Sequence, residues 1–289
     1  MESTFDMENN YELQKEKLEG ILSLSCIESH FLYLLREKTE KWELAYFDSF
    51  AGFVETVERF LSGRIDYTHF DIVKRVQKSA AEIGILRTEH ISELSAHGLK
   101  EHGTASIMVS TEFMENRYGK RAWRDDHYIL LRPSPQGGFY YLNDVPRDSG
   151  RMTDEDVDRL GVTDAFSIRI VGDITPLSEA LFGIFRRRLN EGNERFPDGK
   201  VITADVLRDI IGVLRIIRRR AERFLACYGI CLKDAGVYFE YLDRSYALLE
   251  YMRLRKRELK YEDGQEMLRT IGSMDAALVK EMKSGVNGR

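Results

Sequence analysis

Cys26 follows the stretch GILSLS and opens a run in which Ile27, Phe31, Leu34 and Leu35 recur at helical spacing. That pattern predicts a helix from about Leu22 to Glu37. Ser23 and Ser25 are capping-type residues just upstream, so Cys26 is expected in the first turn. The positive end of a helix favours an anion, and a thiolate there is expected at a lowered pKa. A thiolate can carry an acyl group if an imidazole serves it as base and a third group orients the imidazole.

Both partners can be read from one hairpin. RDDHYILL (Arg124–Leu131) begins an alternating strand, PSPQGG (Pro133–Gly138) has turn composition, and FYYLNDVP (Phe139–Pro146) is a second strand. If Arg132 lies opposite Phe139, His127 falls opposite Asp144 on one face. Directly opposed side chains have Cβ atoms about 4.5–5.5 Å apart, close enough for a carboxylate to hold an imidazole. Asn143 then pairs with Tyr128 on the other face, and a slip of one residue exchanges the two roles. Asp144 is therefore the expected orienter and Asn143 the alternative. His30, four residues after Cys26 on the same helix face, is a rival base, ranked below His127.

The elements around these residues divide the chain. Its 289 residues are 43% apolar and 31% charged, which is the composition of a folded domain or two. No apolar run approaches the roughly 20 residues of a membrane span. The polar, acidic N-terminus is unlike a signal peptide, and three cysteines are an odd number, so a reducing cytoplasm is expected. WELAYFDSF is read as a strand, AGFVETVERFLSG and THFDIVKRVQKSAAEIGI as helices, and ISELSAHGLKEHG as a helix ending near Gly103. ASIMVS is a short strand, TDEDVDRLG a capped helix and AFSIRIVGDI a further strand. After Pro176 come four helical stretches, beginning near Leu177, Ala204, Ala235 and Gln265. The expected organisation is an N-terminal extension (1–20), a mixed α+β domain with an antiparallel sheet (21–174) and an all-helical domain (175–289). Met1–Ile174 carries 21 Lys and Arg against 31 Asp and Glu; the remainder carries 22 against 17.

Cys26 at a helix start, a short strand, W-x-x-D-H-Y-I-L-L from Trp123, and Y-Y-L-N-D-x-P ending at Pro146 together resemble the butirosin biosynthesis protein H family. The resemblance implies a papain-like N-terminal domain, similar to bacteriocin-processing cysteine peptidases, followed by a helical C-terminal domain. Cys26, His127 and Asp144 are the matching positions. It further implies acyl transfer in natural-product assembly, from a carrier-protein thioester to a small amine. Phosphopantetheine would arrive on the acyl or peptidyl carrier protein, with no cofactor bound. No Gln precedes Cys26 where many papain-like enzymes place one. The backbone N–H of Cys26 with Ser23 or Ser25 is the expected oxyanion donor set. The helical domain is the expected cover that favours an amine over water.

Other constellations yield less. Cys227 and Cys231, at i,i+4, are read as structural rather than metal-binding. His97 and His102 flank a helix end. Arg208, Arg215, Arg219 and Arg223 form a stripe on one long helix, with MRLRKRELK a second basic cluster; these are the expected docking face for an acidic partner. No phosphate loop, dinucleotide fingerprint or nucleic-acid motif is present. A peptidase or thioesterase using water, and a non-catalytic binding module, remain as alternatives.

Overall fold

The computed structural model of the chain describes residues 12–62, 69–78, 83–119, 127–191 and 202–289. Trp123, Arg124, Asp125 and Asp126 lie outside the described residues, as do the first eleven positions and residues 192–201.

Strands form where apolar residues alternate and turn residues interrupt them. β1 (Leu86–His90), β2 (Ala105–Met108), β3 (Tyr128–Pro133), β4 (Phe139–Asn143), β5 (Asp148–Met152) and β6 (Asp164–Ile170) make one sheet in the order β1-β6-β2-β3-β4-β5. Every neighbouring pair is antiparallel. The fold of this part is α+β.

Alternation along the strands assigns the two faces of the sheet. Ile107, Ile129, Leu131, Tyr141 and Ala165 belong to a core cluster shared with α4 (Ala96–His102), α5 (Thr111–Tyr118) and α6 (Asp154–Asp158). The other face receives α1 (Cys26–Lys38), whose Phe31, Leu32 and Leu35 are fully buried. Polar contacts fix α1 in register. Ser106 Oγ lies 2.9 Å from His30 Nδ1, and Arg132 reaches both Glu37 oxygens, at 2.5 and 3.5 Å. Residues 12–20, expected as an extension, are clasped to this helix. Leu13 and Leu18 are buried, Tyr33 accepts the Gln14 N–H, and Arg36 donates to the carbonyls of Lys17 and Glu19.

The chain forms two compact units: residues up to Glu40 with Val76–Asp173, and Lys41–Arg75 with Ile174–Arg289. The second unit is helical: α2 (Phe53–Leu61), the first four residues of α3 (Ile72–Lys78), α7 (Ser178–Asn190), α8 (Ala204–Ala226), α9 (Ala235–Leu254) and α10 (Tyr261–Asn287). Its boundary at Asp173–Ile174 falls one residue before the expected one, but it also takes a segment expected in the first domain. Trp42–Asp48, read as a strand, is a 3₁₀ helix. Trp42, Leu44, Ala45, Tyr46 and Phe47 are all buried, and with Glu43 the one half-exposed residue among them the run has no alternation that could mark it as strand or helix. The sequence reading also missed β1 and α5, whose polar outer residues blur their periodicity.

The helical unit is built around a buried cation. Arg218 is fully buried. Its Nε and one terminal nitrogen donate to the two oxygens of Asp275 at 2.6 and 2.9 Å, and the other donates to the Ala51 carbonyl at 2.7 Å. Tyr238 adds a 2.8 Å hydrogen bond to Asp275. No helix among the described residues is long and apolar enough to cross a membrane.

Arg218→Ala strands the Asp275 carboxylate and is expected to destabilise the unit by about 3–5 kcal/mol. Arg244→Ala, which breaks an exposed pair with Glu240, is expected to stay within about 1 kcal/mol. Urea unfolding of both variants checks this contrast.

Candidate active site

The first turn of α1 is set by its cap. Ser25 Oγ accepts the Glu28 N–H at 3.2 Å, and the buried Glu28 carboxylate reaches back to the Leu24 N–H. The helix therefore starts at Cys26 itself, later than the expected start at Leu22. Cys26 is half-buried. The backbone N–H groups of Tyr128, Cys26 and Ile27 act on its sulfur and favour the thiolate. The Tyr128 contact places the sulfur against the first residue of β3, immediately after His127.

The hairpin register decides what stands behind the histidine. Pro133, not Arg132, lies opposite Phe139, so the loop is five residues long rather than six. Ser134 and Gly138 close it with a backbone hydrogen bond of 3.0 Å, and Gly137 and Gly138 supply the left-handed conformations it needs (φ 91° and 69°). This one-residue slip exchanges the roles of Asn143 and Asp144. His127 Nε2 bonds Asn143 Oδ1 at 2.7 Å. With a carbonyl oxygen as acceptor, Nε2 carries the proton of the neutral ring. The Val109 N–H bonds the His127 carbonyl at 3.0 Å and extends the β2–β3 ladder to the histidine.

Asp144, the expected orienter, turns to the α1 side. It accepts a hydrogen bond from Ser29, whose Oγ lies 2.5 Å from Ser23 Oγ. Burial raises the Asp144 carboxyl above its ordinary range; the His127 charge, the Ser29 hydroxyl and the N–H groups of Asp144 and Val145 offset this only in part. Asp144 also acts on the sulfur. Burial first, and the Asp144 charge second, push the Cys26 thiol up to about 12. The lowered pKa expected from the helix terminus is thus overturned, because desolvation of the thiolate outweighs three backbone donors.

Asn143 is itself supported by a polar cluster the sequence reading missed. Opposite it in register is Asp148, whose Oδ2 accepts from Tyr118 and Tyr141 at 2.8 Å each and from Arg117 Nε at 3.0 Å. Burial alone would raise this carboxyl, but the three donors hold it below the usual range. A signal for part of the cluster existed: Tyr141 and Asp148 lie on either side of the β4–β5 turn, Asp148 opposite Asn143 and Tyr141 opposite Gly150. At the same end of the sheet Asp164 binds the Tyr128 hydroxyl at 2.6 Å and His90 at 3.1 Å.

The remaining candidates are placed less favourably. His30 is fully buried, and burial, then the His127 charge, hold it down to about 3. It is a neutral member of the helix–sheet contact rather than an accessible base. Ser23 is joined to Ser29 and Ser25 caps the helix, so both proposed oxyanion hydroxyls are engaged in building α1. The arginine stripe is neutralised within its own unit. Arg208 pairs with Asp205, Asp209 and Glu250, Arg215 and Arg219 share Asp243, and Arg223 pairs with Glu43. Each of the four charges is thus paired with a carboxylate of the same unit. Cys227 is half-buried near the end of α8 and Cys231 is exposed. His97 lies 3.6 Å from Glu101 on the surface of α4. Among the described residues, no group of three or more His, Cys, Asp or Glu side chains is placed to hold a metal ion.

No protein-family profile and no curated protein matches this chain.

Removing the Asp144 charge should ease ionisation of the sulfur. Asp144→Asn is expected to speed iodoacetamide labelling of Cys26 severalfold at pH 8, whereas Asn143→Ala leaves it no faster. In the unaltered protein the exposed Cys231 should label before Cys26. Peptide mapping after limited labelling reads all three.

His30 gives a pH signature. Its folded pKa of about 3 lies below the ordinary 6.5, so between these values the unfolded chain binds a proton that the folded one excludes. Stability should fall as pH drops through 6 toward 4. His30→Gln should flatten the slope by up to one proton, measured by urea unfolding across that range.

Proposed function

We propose that the chain is a cysteine-dependent acyltransferase with a papain-like catalytic unit, in which Cys26 is nucleophile, His127 general base and acid, and Asn143 orienter. The observation that carries this reading is the 2.7 Å bond from His127 Nε2 to Asn143, made by the histidine that directly precedes the residue touching the Cys26 sulfur. The α+β unit with its antiparallel sheet is compatible with the resemblance to the butirosin biosynthesis protein H family.

The thiol at rest is protonated, so the proton must leave as the sulfur attacks. His127 Nδ1 takes the Cys26 proton while Sγ bonds to the carbonyl carbon of a thioester. Backbone N–H groups around Cys26 stabilise the resulting oxyanion. The tetrahedral adduct collapses, the donor's C–S bond breaks, and the imidazolium protonates the departing thiol. An amine then attacks the acyl-Cys26 carbonyl and gives its proton to His127, which returns it to the Cys26 sulfur as that C–S bond breaks. In this reading phosphopantetheine on an acyl or peptidyl carrier protein presents the donor, and a small amine is the acceptor. The thiol pKa of about 12 favours the other reading, in which the Cys, His and Asn form no working site.

Acyl-enzyme trapping separates these readings. Incubation with an acyl thioester of N-acetylcysteamine, or of a carrier protein, should add the acyl mass to Cys26 and to neither other cysteine. Cys26→Ala should remove it, and His127→Ala should slow loading by about 10²-fold or more. Added amine should discharge the adduct as an amide. Discharge to the free acid at a rate indifferent to amine would make the protein a hydrolase. No adduct from either donor would support the non-catalytic reading.

A further inference from the structure

The helical unit contains a cavity of about 430 Å³ with a lining of two distinct kinds. Its walls are apolar: Phe50, Phe53, Val54 and Leu189 face Val279 and Ala276 of α10. Gly272 brings α10 close to the Phe53 ring, since a Cβ there would come within 2.9 Å of Cε1. The volume lies within the roughly 300–1,000 Å³ of pockets that take small organic ligands.

The charges are arranged unevenly. Asp275 at the cavity is already matched by Arg218 and by the Tyr238 hydroxyl, so its charge is compensated within the protein. Lys280 and Lys283 also line the cavity, and among the described residues neither forms an ion pair. Glu281, between them in sequence, is turned away and accepts the N–H groups of Lys233 and Asp234. Two uncompensated cations therefore border an apolar chamber. In addition α2 begins beside it at Gly52, which has no capping side chain, so the positive end of that helix adds to the field.

We propose that this cavity binds an amphipathic organic anion, an apolar chain or ring system ending in a carboxylate. Its body lies between Phe50, Phe53, Leu189 and Val279, and its carboxylate meets Lys280 and Lys283. An organic cation is disfavoured by the same lysines, and a wholly polar ligand by the walls. The proposal does not rest on Cys26 chemistry.

Isothermal titration of the full chain with decanoate, decanol and decyltrimethylammonium tests it. Decanoate should bind saturably at one site, more tightly than decanol, with the cation weakest. Charge reversal at the exposed Lys280 and the half-buried Lys283, Lys280→Glu with Lys283→Glu, should weaken decanoate roughly tenfold and leave decanol nearly unchanged. Ala276→Trp, at an exposed position on the rim, should abolish both, with thermal unfolding used to confirm that it folds. Cys26→Ala should bind as the unaltered chain does. Absence of saturable decanoate binding, equal binding of anion and cation, or insensitivity to the lysine reversals would overturn the proposal. If Ala276→Trp does not fold, the lysine reversals and the ligand order still decide.

Discussion

The seat of α1 on the sheet is the constraint on which the candidate site depends. A sulfur on the first residue of a helix can meet a histidine on a strand only if the helix is fixed in both rotation and translation. Apolar packing of Phe31, Leu32 and Leu35 supplies most of the attraction but is non-directional. The His30–Ser106 contact and the Glu37–Arg132 pair, two turns apart, add the direction. Both use strand positions that alternate away from the core cluster. They hold α1 with its first turn at the end of the sheet where β3 starts and β4 ends.

Two carboxylates near that end show how environment separates like groups. Asp148 receives three side-chain donors and is held acidic. Asp144 is more deeply buried, with one side-chain donor beside two backbone N–H groups, and is raised; its charge bears on both the imidazole and the sulfur. Such opposed environments make one carboxylate a fixed structural anchor and leave the other able to respond to protonation. The sulfur inherits the result: a thiol that stays protonated at neutral pH.

In the helical unit, sequence charge and available charge differ. The arginines of α8 are spent on carboxylates of α9 and of the Trp42–Asp48 segment, or buried like Arg218 against Asp275. Lys280 and Lys283 of α10 form no ion pair among the described residues. A basic stripe on an isolated helix is a statement about composition; whether it faces a partner depends on which neighbouring helix supplies acids.

The sequence by itself determined most of the local structure. Periodicity and capping residues located α1, the β3–β4 hairpin, α6 and the four long C-terminal helices, because these depend on residues close together in the chain. The same local reasoning brought Cys26 and His127 forward as chemically apt. Tertiary structure decided the rest. The closure of one glycine-rich loop shifted the hairpin by a residue and exchanged Asn143 for Asp144. Burial reversed the expected direction of the Cys26 pKa. Acids on neighbouring elements paired with the arginine stripe, and burial of Trp42 and Leu44–Phe47 drew that segment into the helical unit. The last three outcomes depend on desolvation or pairing between residues distant in sequence, which no local pattern contains; the register shift is local but turns on a single residue of loop closure.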